Sequence, residues 1–151
     1  MSVSIKQLCP GDEAILALLA MSDPDFDLDG RGSSLLPLEP DAARSFLSND
    51  AVQFWTAHVG DEVVGFLYCI LLPLRSAEGR ELLLYEIGVR KSARRRGAGR
   101  ALLDCMEAWM LSNDVGEVWV CADNPAAVEF YRGFGFDAPR EQPVYMTRRP
   151  F

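Results

Sequence analysis

Two apolar segments in the middle of the chain constrain the fold more than any other feature. Residues 52–59 and 63–72 are rich in β-branched and aromatic side chains, and only Gly60, Asp61 and Glu62 separate them. Such a short connection between two β-favouring runs predicts a hairpin. The fold must therefore contain at least one antiparallel strand pair.

The remaining periodicities place this hairpin in a mixed order of strands and helices. Further strands are expected at 3–8, 81–89, 117–122 and 144–147, and helices within 12–23, 41–47, 97–112 and 125–132. A meander followed by strand–helix–strand predicts an α/β (α+β) fold, with a mixed, mostly antiparallel central sheet and helices on both faces. No internal repeat or long linker divides the sequence, so we expect one domain over residues 1–151.

Composition restricts the class of protein. Hydrophobic residues make up 49% of the 151 residues and charged residues 25%, which is typical of a globular chain. The longest apolar stretch, 63–72, is shorter than the ~20 residues of a membrane helix, and the N-terminus lacks the pattern of a signal peptide. We therefore expect a cytoplasmic protein that does not engage a membrane. Cysteine and histidine form no cluster with metal-ligand spacing, so no metal is expected.

Charge is distributed unevenly along the chain. The net charge is −7, but residues 90–100 contain six cations and no acid, which leaves −13 on the other 140 residues. The acidic remainder favours a small polycationic partner and would repel the backbone of a nucleic acid. The basic segment suits a compact polyanion.

The basic segment also has the features of a phosphate-binding loop. Arg94-Arg95-Arg96-Gly97-Ala98-Gly99-Arg100 lies between a predicted strand and the predicted start of a helix. Glycines let main-chain N–H groups approach an anion, and the helix N-terminus carries partial positive charge. A diphosphate fits this arrangement, and a solvated basic surface without a ligand is the alternative. The spacing matches neither of the common nucleotide loops.

Two motifs in this order resemble the GCN5-related N-acetyltransferase (GNAT) family. The acetyl-CoA loop of that family has the form Arg/Gln-x-x-Gly-x-Gly/Ala, here Arg94-x-x-Gly97-x-Gly99, and the strand Tyr-Glu-Ile-Gly-Val precedes it at 85–89. Residues 124–136 resemble the family's Asn-x-x-Ala-x-x-Phe-Tyr-x-x-x-Gly-Phe segment. Within the family, the chain is most similar to the aminoglycoside 3-N-acetyltransferases in its 85–89 strand, its Ala-Asp pair at 122–123 and its length.

The resemblance implies direct transfer of an acetyl group from acetyl-CoA to a primary amine by a homodimer. The implied acceptor is the 3-amino group of an aminoglycoside, a polycationic antibiotic, so the implied role is antibiotic resistance. The alternatives are an acceptor that is another small amine or a protein amine, and a module that binds acetyl-CoA without turnover. The implied acetyl-CoA site comprises Val89, Arg94, Arg95, Arg96, Gly97, Ala98, Gly99, Arg100 and Asn124.

Three side chains are candidates for the chemistry that the resemblance implies. Glu86, a charged residue in an apolar strand, is the candidate base that deprotonates the substrate ammonium through water. Tyr131 would donate a proton to the departing thiolate, because the pKa of a phenol (~10) is close to that of a thiol. Asp123 would bind the ammonium. The structural alternatives are an outward-facing or arginine-paired Glu86, and an Asp123 that caps the helix beginning near residue 125.

A second acidic feature lies in the N-terminal third of the chain. Residues 22–30 place aspartates at alternate positions among Pro and Gly, which indicates an exposed loop. Asp25, Asp27 and Asp29, together with Asp23, are candidates for lining the acceptor cleft and attracting a polycationic sugar. A solvated acidic loop is the alternative.

Overall fold

Strands and helices follow one another in nearly the order that the sequence predicts. The computed structural model describes residues 2–26, 28 and 32–151. Short 3-10 turns lie at Asp23–Phe26 and Lys91–Ala93. The elements in chain order are β1 (Ser4–Gln7), α1 (Glu13–Met21), α2 (Pro40–Ser48), β2 (Val52–Val59), β3 (Glu62–Pro73), β4 (Arg80–Val89), α3 (Ala98–Ser112), β5 (Val115–Val120) and α4 (Pro125–Gly133).

The five strands form one sheet in the order β1-β2-β3-β4-β5. Pairing is antiparallel from β1 to β4 and parallel only between β4 and β5. Parallel pairing is possible there because α3 returns the chain to the end of the sheet at which β4 began. The predicted mixed, mostly antiparallel sheet is confirmed.

Two adjacent residues of β2 show that helices cover both faces of the sheet. The ring of Phe54 lies 6.2 Å from that of Phe46 in α2, whereas Trp55 lies 6.0 Å from Trp109 in α3. Successive side chains of a strand point to opposite faces, so α2 and α3 lie on opposite faces. Leu19 of α1 belongs to the same cluster as Phe54, which places α1 on the α2 face.

The chain divides into two compact units, Met1–Cys121 and Ala122–Phe151. The first contains the sheet, and the second contains α4 and a C-terminal segment without regular structure. The strand expected at 144–147 is wrong: these residues are exposed and have no ladder partner in the described chain. Within the same described ranges, no helix has the length and hydropathy needed to cross a bilayer.

Strand β4 contains an extra residue that reverses the faces of its second half. Opposite β3, Leu84 pairs with Cys69 and Glu86 pairs with Tyr68, so Tyr85 is a bulge. Leu84 and Cys69 are buried on the α3 face, where the Cys69 thiol contacts α3. Regular pairing would place Glu86 on that same face. The bulge therefore moves a carboxylate from the core beneath α3 to the α1/α2 face.

An aromatic cluster fills the α1/α2 face. Phe54 stacks on Phe66 and Tyr68 with ring centroids 5.8 and 5.6 Å apart, and Phe26 meets Phe66 edge-on at 5.3 Å. A Cβ at Gly88 would lie 2.8 Å from Phe66 Cε1 and 3.2 Å from Phe26 Cδ1. The aromatic packing therefore requires glycine at this position of β4.

Arg90 attaches the turn at Asp23–Phe26 to the end of the sheet. Its Nε donates to the Val63 carbonyl at 2.6 Å, and its Nη1 donates to Asp25 Oδ2 at 2.7 Å. The guanidinium carbon also lies 5.0 Å from the centroid of the Phe26 ring, within range of a cation–π interaction. One side chain thus joins strand, turn and aromatic cluster.

Arg94 completes this attachment. Its Nη2 donates to the Phe26 carbonyl at 2.9 Å, and Asp23 and Phe26 are both buried. The interpretation of residues 22–30 as an exposed loop is wrong for this turn, because buried rings and two guanidinium groups hold it against the sheet.

Gly88→Ala is expected to lower the free energy of unfolding by about 1–3 kcal/mol, because the added methyl group must displace the Phe66 ring. Gly116→Ala in β5 is the matched control, since a Cβ there meets nothing within 4 Å. The control should change stability by less than about 0.5 kcal/mol. Urea denaturation measures both variants, and equal stabilities would contradict the close packing at Gly88.

Arg90→Ala is expected to lower the free energy of unfolding by about 2–3 kcal/mol, because charged hydrogen bonds to partly buried acceptors are lost. Asp25→Asn should cost less than about 1 kcal/mol, since only the exposed ion pair changes. The side chain of Asp25 is 61% exposed and that of Arg90 12%. Chemical denaturation compares the two variants. An equal loss in both would mean that the ion pair, and not the carbonyl contact, holds the turn.

Candidate active site

The loop between β4 and α3 has the geometry of an anion cradle. Arg95 and Gly97 adopt left-handed backbone conformations with φ of 64° and 85°, and Gly97 is the N-cap of α3. Such alternation turns main-chain N–H groups toward one side, and a cap without a side chain leaves the N–H groups of the first turn accessible to an anion. A Cβ at Gly97 would meet nothing within 4 Å, so glycine serves the backbone conformation. Arg95, Arg96 and Arg100 are exposed beside it.

Arg94 has a different role from the other arginines of this loop. Its Nε donates to the Val89 carbonyl at 3.3 Å and its Nη2 to the Phe26 carbonyl. These bonds direct the guanidinium toward the main chain of the protein itself. Arg94 thus positions the loop, and its contact with acetyl-CoA stays a prediction.

One edge of β4 is only partly covered by β5. Pairing of β4 with β5 ends at Leu84 and Val120, whereas pairing with β3 continues to Val89. In the described part of the chain, residues 85–89 therefore have no strand beside them on the edge opposite β3. An extended molecule can pair with such an edge as another strand would. Val89, the residue expected to pair with the pantetheine arm, lies at the end of this edge.

A cavity of about 280 Å³ opens on the α1/α2 face of the sheet. Phe54, Phe66 and Tyr68 form an aromatic floor, and Glu86 lies beside Tyr68 on the neighbouring strand. The bulge at Tyr85 is what brings Glu86 to this cavity. The half-buried carboxylate therefore lines a recess instead of facing open solvent.

The walls of the cavity are mainly aliphatic. Helix α1 and the segment before α2 contribute Leu16, Leu19, Ala20, Leu35, Leu36 and Leu38. Asp23, from the turn that Arg90 attaches, is the second acid among the described residues that line the cavity. The two acids favour a cation in this partly desolvated cavity, where electrostatic attraction is stronger than in water.

Tyr68 joins the aromatic floor to Glu86. Burial raises the pKa of its phenol most. Electrostatic interaction with Glu86 raises that pKa further, and interaction with Tyr85 adds a smaller increase. The phenol therefore stays protonated at neutral pH and its hydroxyl can donate a hydrogen bond. Sequence reasoning missed Tyr68, because it lies in a continuous apolar run and its nearness to Glu86 depends on the bulge. The available signal was the register of the β2–β3 hairpin, which pairs Tyr68 with Phe54.

The predicted acidic residues separate into different environments. Asp23 lines the cavity with Glu86, whereas Asp25 accepts a hydrogen bond from Arg90 and does not line it. Asp27 and Asp29 lie outside the described residues. Among the residues that are described, no group of three or more His, Cys, Asp or Glu side chains could hold a metal ion.

The second unit contains the residues of the other motif. Asn124 caps α4, and its Oδ1 accepts from the Ala127 N–H at 2.8 Å. The alternative in which Asp123 caps this helix is therefore wrong, and Asp123 Oδ1 instead accepts from Asn124 Nδ2 at 3.2 Å. Tyr131 is buried, with its ring centroid 5.3 Å from that of Phe136. Its proton-donating role stays a prediction.

Comparison with known proteins gives a family and a curated relative. The model of the acetyltransferase (GNAT) family matches residues 16–136. An uncharacterized N-acetyltransferase of Methanocaldococcus jannaschii is 33% identical over 94 residues, which are 60% of this chain and 42% of that protein. The chain therefore matches less than half of the length of this relative.

Several solved structures share the fold. An aminoglycoside acetyltransferase from an uncultured soil metagenomic sample, in complex with trehalose, is 21% identical with a TM-score of 0.83, covering 97% of this chain and 95% of that one. A second from such a sample is 23% identical with a TM-score of 0.82, covering 100% and 99%. A ribosomal-protein-alanine N-acetyltransferase from Brucella melitensis is 19% identical with a TM-score of 0.72, covering 97% and 100%.

These structural similarities show a shared fold, and the family model covers most of the chain, including the loop at 94–99 and the segment beginning at Asn124. The chain belongs to the GNAT acetyltransferase family.

Proposed function

We propose that this chain transfers the acetyl group of acetyl-CoA to a primary amine. The observation that carries the proposal is the arrangement of one stretch of β4. Glu86 lines the cavity from this stretch, while the main-chain edge at 85–89 is left uncovered by β5. Acetyl-CoA held along this edge and an amine held in the cavity would both reach the same part of β4.

The loop after β4 fits the diphosphate of acetyl-CoA. Main-chain N–H groups of residues 95–99 would donate to the diphosphate at the start of α3, and Arg95, Arg96 and Arg100 add exposed positive charge. Val89 pairs with the pantetheine arm, and Asn124 contacts it. Acetyl-CoA supplies a thioester, an acyl donor that an unprotonated amine attacks directly.

Glu86 accepts the proton of the substrate ammonium, through an ordered water. This step is needed because an alkylammonium, with a pKa of ~10, has no lone pair for attack at neutral pH. Asp23 lines the same cavity and strengthens the attraction for the cation. From the second unit, we assign Tyr131 the proton transfer to the departing thiolate and Asp123 a contact with the ammonium.

Long-range charge favours the 3-amino group of an aminoglycoside as acceptor, and another small amine is the alternative. The net charge of −13 outside residues 90–100 attracts a polycation over long range. One structure with this fold is a soil metagenomic aminoglycoside acetyltransferase in complex with sisomicin. With an aminoglycoside as acceptor, the chain would be a cytoplasmic, homodimeric resistance enzyme.

Gly97→Ala is expected to weaken acetyl-CoA binding about tenfold, because alanine disfavours the left-handed conformation by about 1–2 kcal/mol and the cradle must change shape. Gly60→Ala in the β2–β3 turn is the matched control. Gly60 also has a positive φ (59°) and open space around its Cβ position. Calorimetric titration with acetyl-CoA should show a loss only in the Gly97 variant. Equal affinities in the two variants would reject the cradle.

A turnover assay with acetyl-CoA and primary amines tests the proposed reaction and separates its two proton transfers. Glu86→Gln should lower kcat/KM about 100-fold or more and remove the acidic limb of the pH profile, in which falling pH protonates the base. Tyr131→Phe should lower kcat while leaving acetyl-CoA affinity unchanged. An unaltered pH profile in Glu86→Gln would reject this base, and an absence of amine acetylation by the unmodified protein would reject the function.

A further inference from the structure

We infer that the acceptor is a compact primary amine attached to an apolar group, of the arylalkylamine class, and not a polyhydroxylated aminoglycoside. The inference rests on the proposed acetyl transfer and names the substrate class of the same site. It follows from the chemistry of the cavity that contains Glu86.

The described residues that line the cavity offer few side-chain partners for a polar ligand. Apart from Asp23 and Glu86, every described residue that lines it is aliphatic or aromatic, and Tyr68 alone adds a hydroxyl group. An aminoglycoside carries hydroxyl and amino groups on each ring. Each such group that loses water without gaining a hydrogen bond opposes binding. An apolar group meets no such cost here.

Leucines at the mouth of the cavity provide a second observation. Leu35, Leu36 and Leu38 line the cavity and are 40%, 95% and 50% exposed. Exposed apolar side chains that are gathered in one place indicate a binding surface. An apolar group placed against them would remove this surface from water, which favours binding in proportion to the area buried.

Size and charge favour the same class. At about 280 Å³, the cavity lies just below the usual range for small-molecule sites, about 300–1,000 Å³. One ring on a short chain suits this volume better than several linked sugar rings. Asp23 and Glu86 give the cavity an acidic character that suits an ammonium group, and the aromatic side chains that line it offer apolar contact to an aryl ring.

The positions of these groups orient the ligand. Glu86 lies on the sheet, in the stretch of β4 whose edge β5 leaves uncovered, whereas the exposed leucines lie on the segment before α2. The amine therefore points toward β4 and the apolar group toward the leucines. This orientation brings the nucleophile, and not the apolar group, to the strand that we propose to hold the acyl donor.

Calorimetric titration of the full chain with 2-phenylethylamine and with sisomicin tests the inference at physiological salt, which screens the long-range charge. We expect 2-phenylethylamine to bind at least tenfold more tightly. Leu36→Ser should weaken its binding about fivefold, because apolar surface at the mouth is lost, and should leave sisomicin unaffected. Leu111→Ser on α3 is the matched control, since Leu111 is 82% exposed and does not line the cavity.

Tighter binding of sisomicin, or equal effects of Leu36→Ser and Leu111→Ser on 2-phenylethylamine, would overturn the inference. A parallel turnover assay separates it from the proposed function. Acetylation of sisomicin but not of 2-phenylethylamine would overturn the acceptor class and support acetyl transfer. Leu36-dependent binding of 2-phenylethylamine without acetylation of any primary amine would overturn the proposed function and support the apolar ligand class.

Discussion

The bulge at Tyr85 is the constraint on which the rest of this site depends. It allows Leu84 to pack beneath α3 while Glu86, two residues later, lies on the opposite face of the sheet. With regular pairing, the Glu86 carboxylate would enter the apolar core, where an uncompensated charge costs several kcal/mol. One inserted residue thus keeps the core apolar and places a carboxylate in the cavity. The same stretch of β4 extends beyond its pairing with β5, so the two halves of the proposed reaction meet there.

The basic segment serves both the fold and the proposed binding of acetyl-CoA. Arg90 and Arg94 form hydrogen bonds with main-chain carbonyls and hold the turn that carries Asp23 and Phe26. Arg95, beside the start of α3, is exposed and remains available to an anion. Arginines that look equivalent in the sequence therefore have different environments. Because Arg90 and Arg94 hold the acidic turn against the sheet, Asp23 of that turn can line the cavity.

Local signals made much of the fold predictable, whereas long-range contacts decided the features that were missed. The hairpin follows from two β-favouring runs around Gly60, and the start of α3 beside Gly97 follows from the helical periodicity after that glycine. The burial of the Asp23–Phe26 turn depends on Arg90, which pairs with Asp25 across 65 positions of sequence. The face of Glu86 depends on a bulge that no hydrophobic pattern reveals, and the residues at 144–147 favour a strand but have no partner in the described chain.

A crystal structure of the protein with CoA and 2-phenylethylamine tests the central claim most directly. The account predicts the amine nitrogen within hydrogen-bond reach of Glu86, about 2.6–3.2 Å directly or through one water. It also predicts the aryl ring against Phe54 or Phe66, with the sulfur of CoA beside residues 85–89 of β4. An amine bound outside the cavity, or a CoA arm away from this edge of β4, would contradict the account.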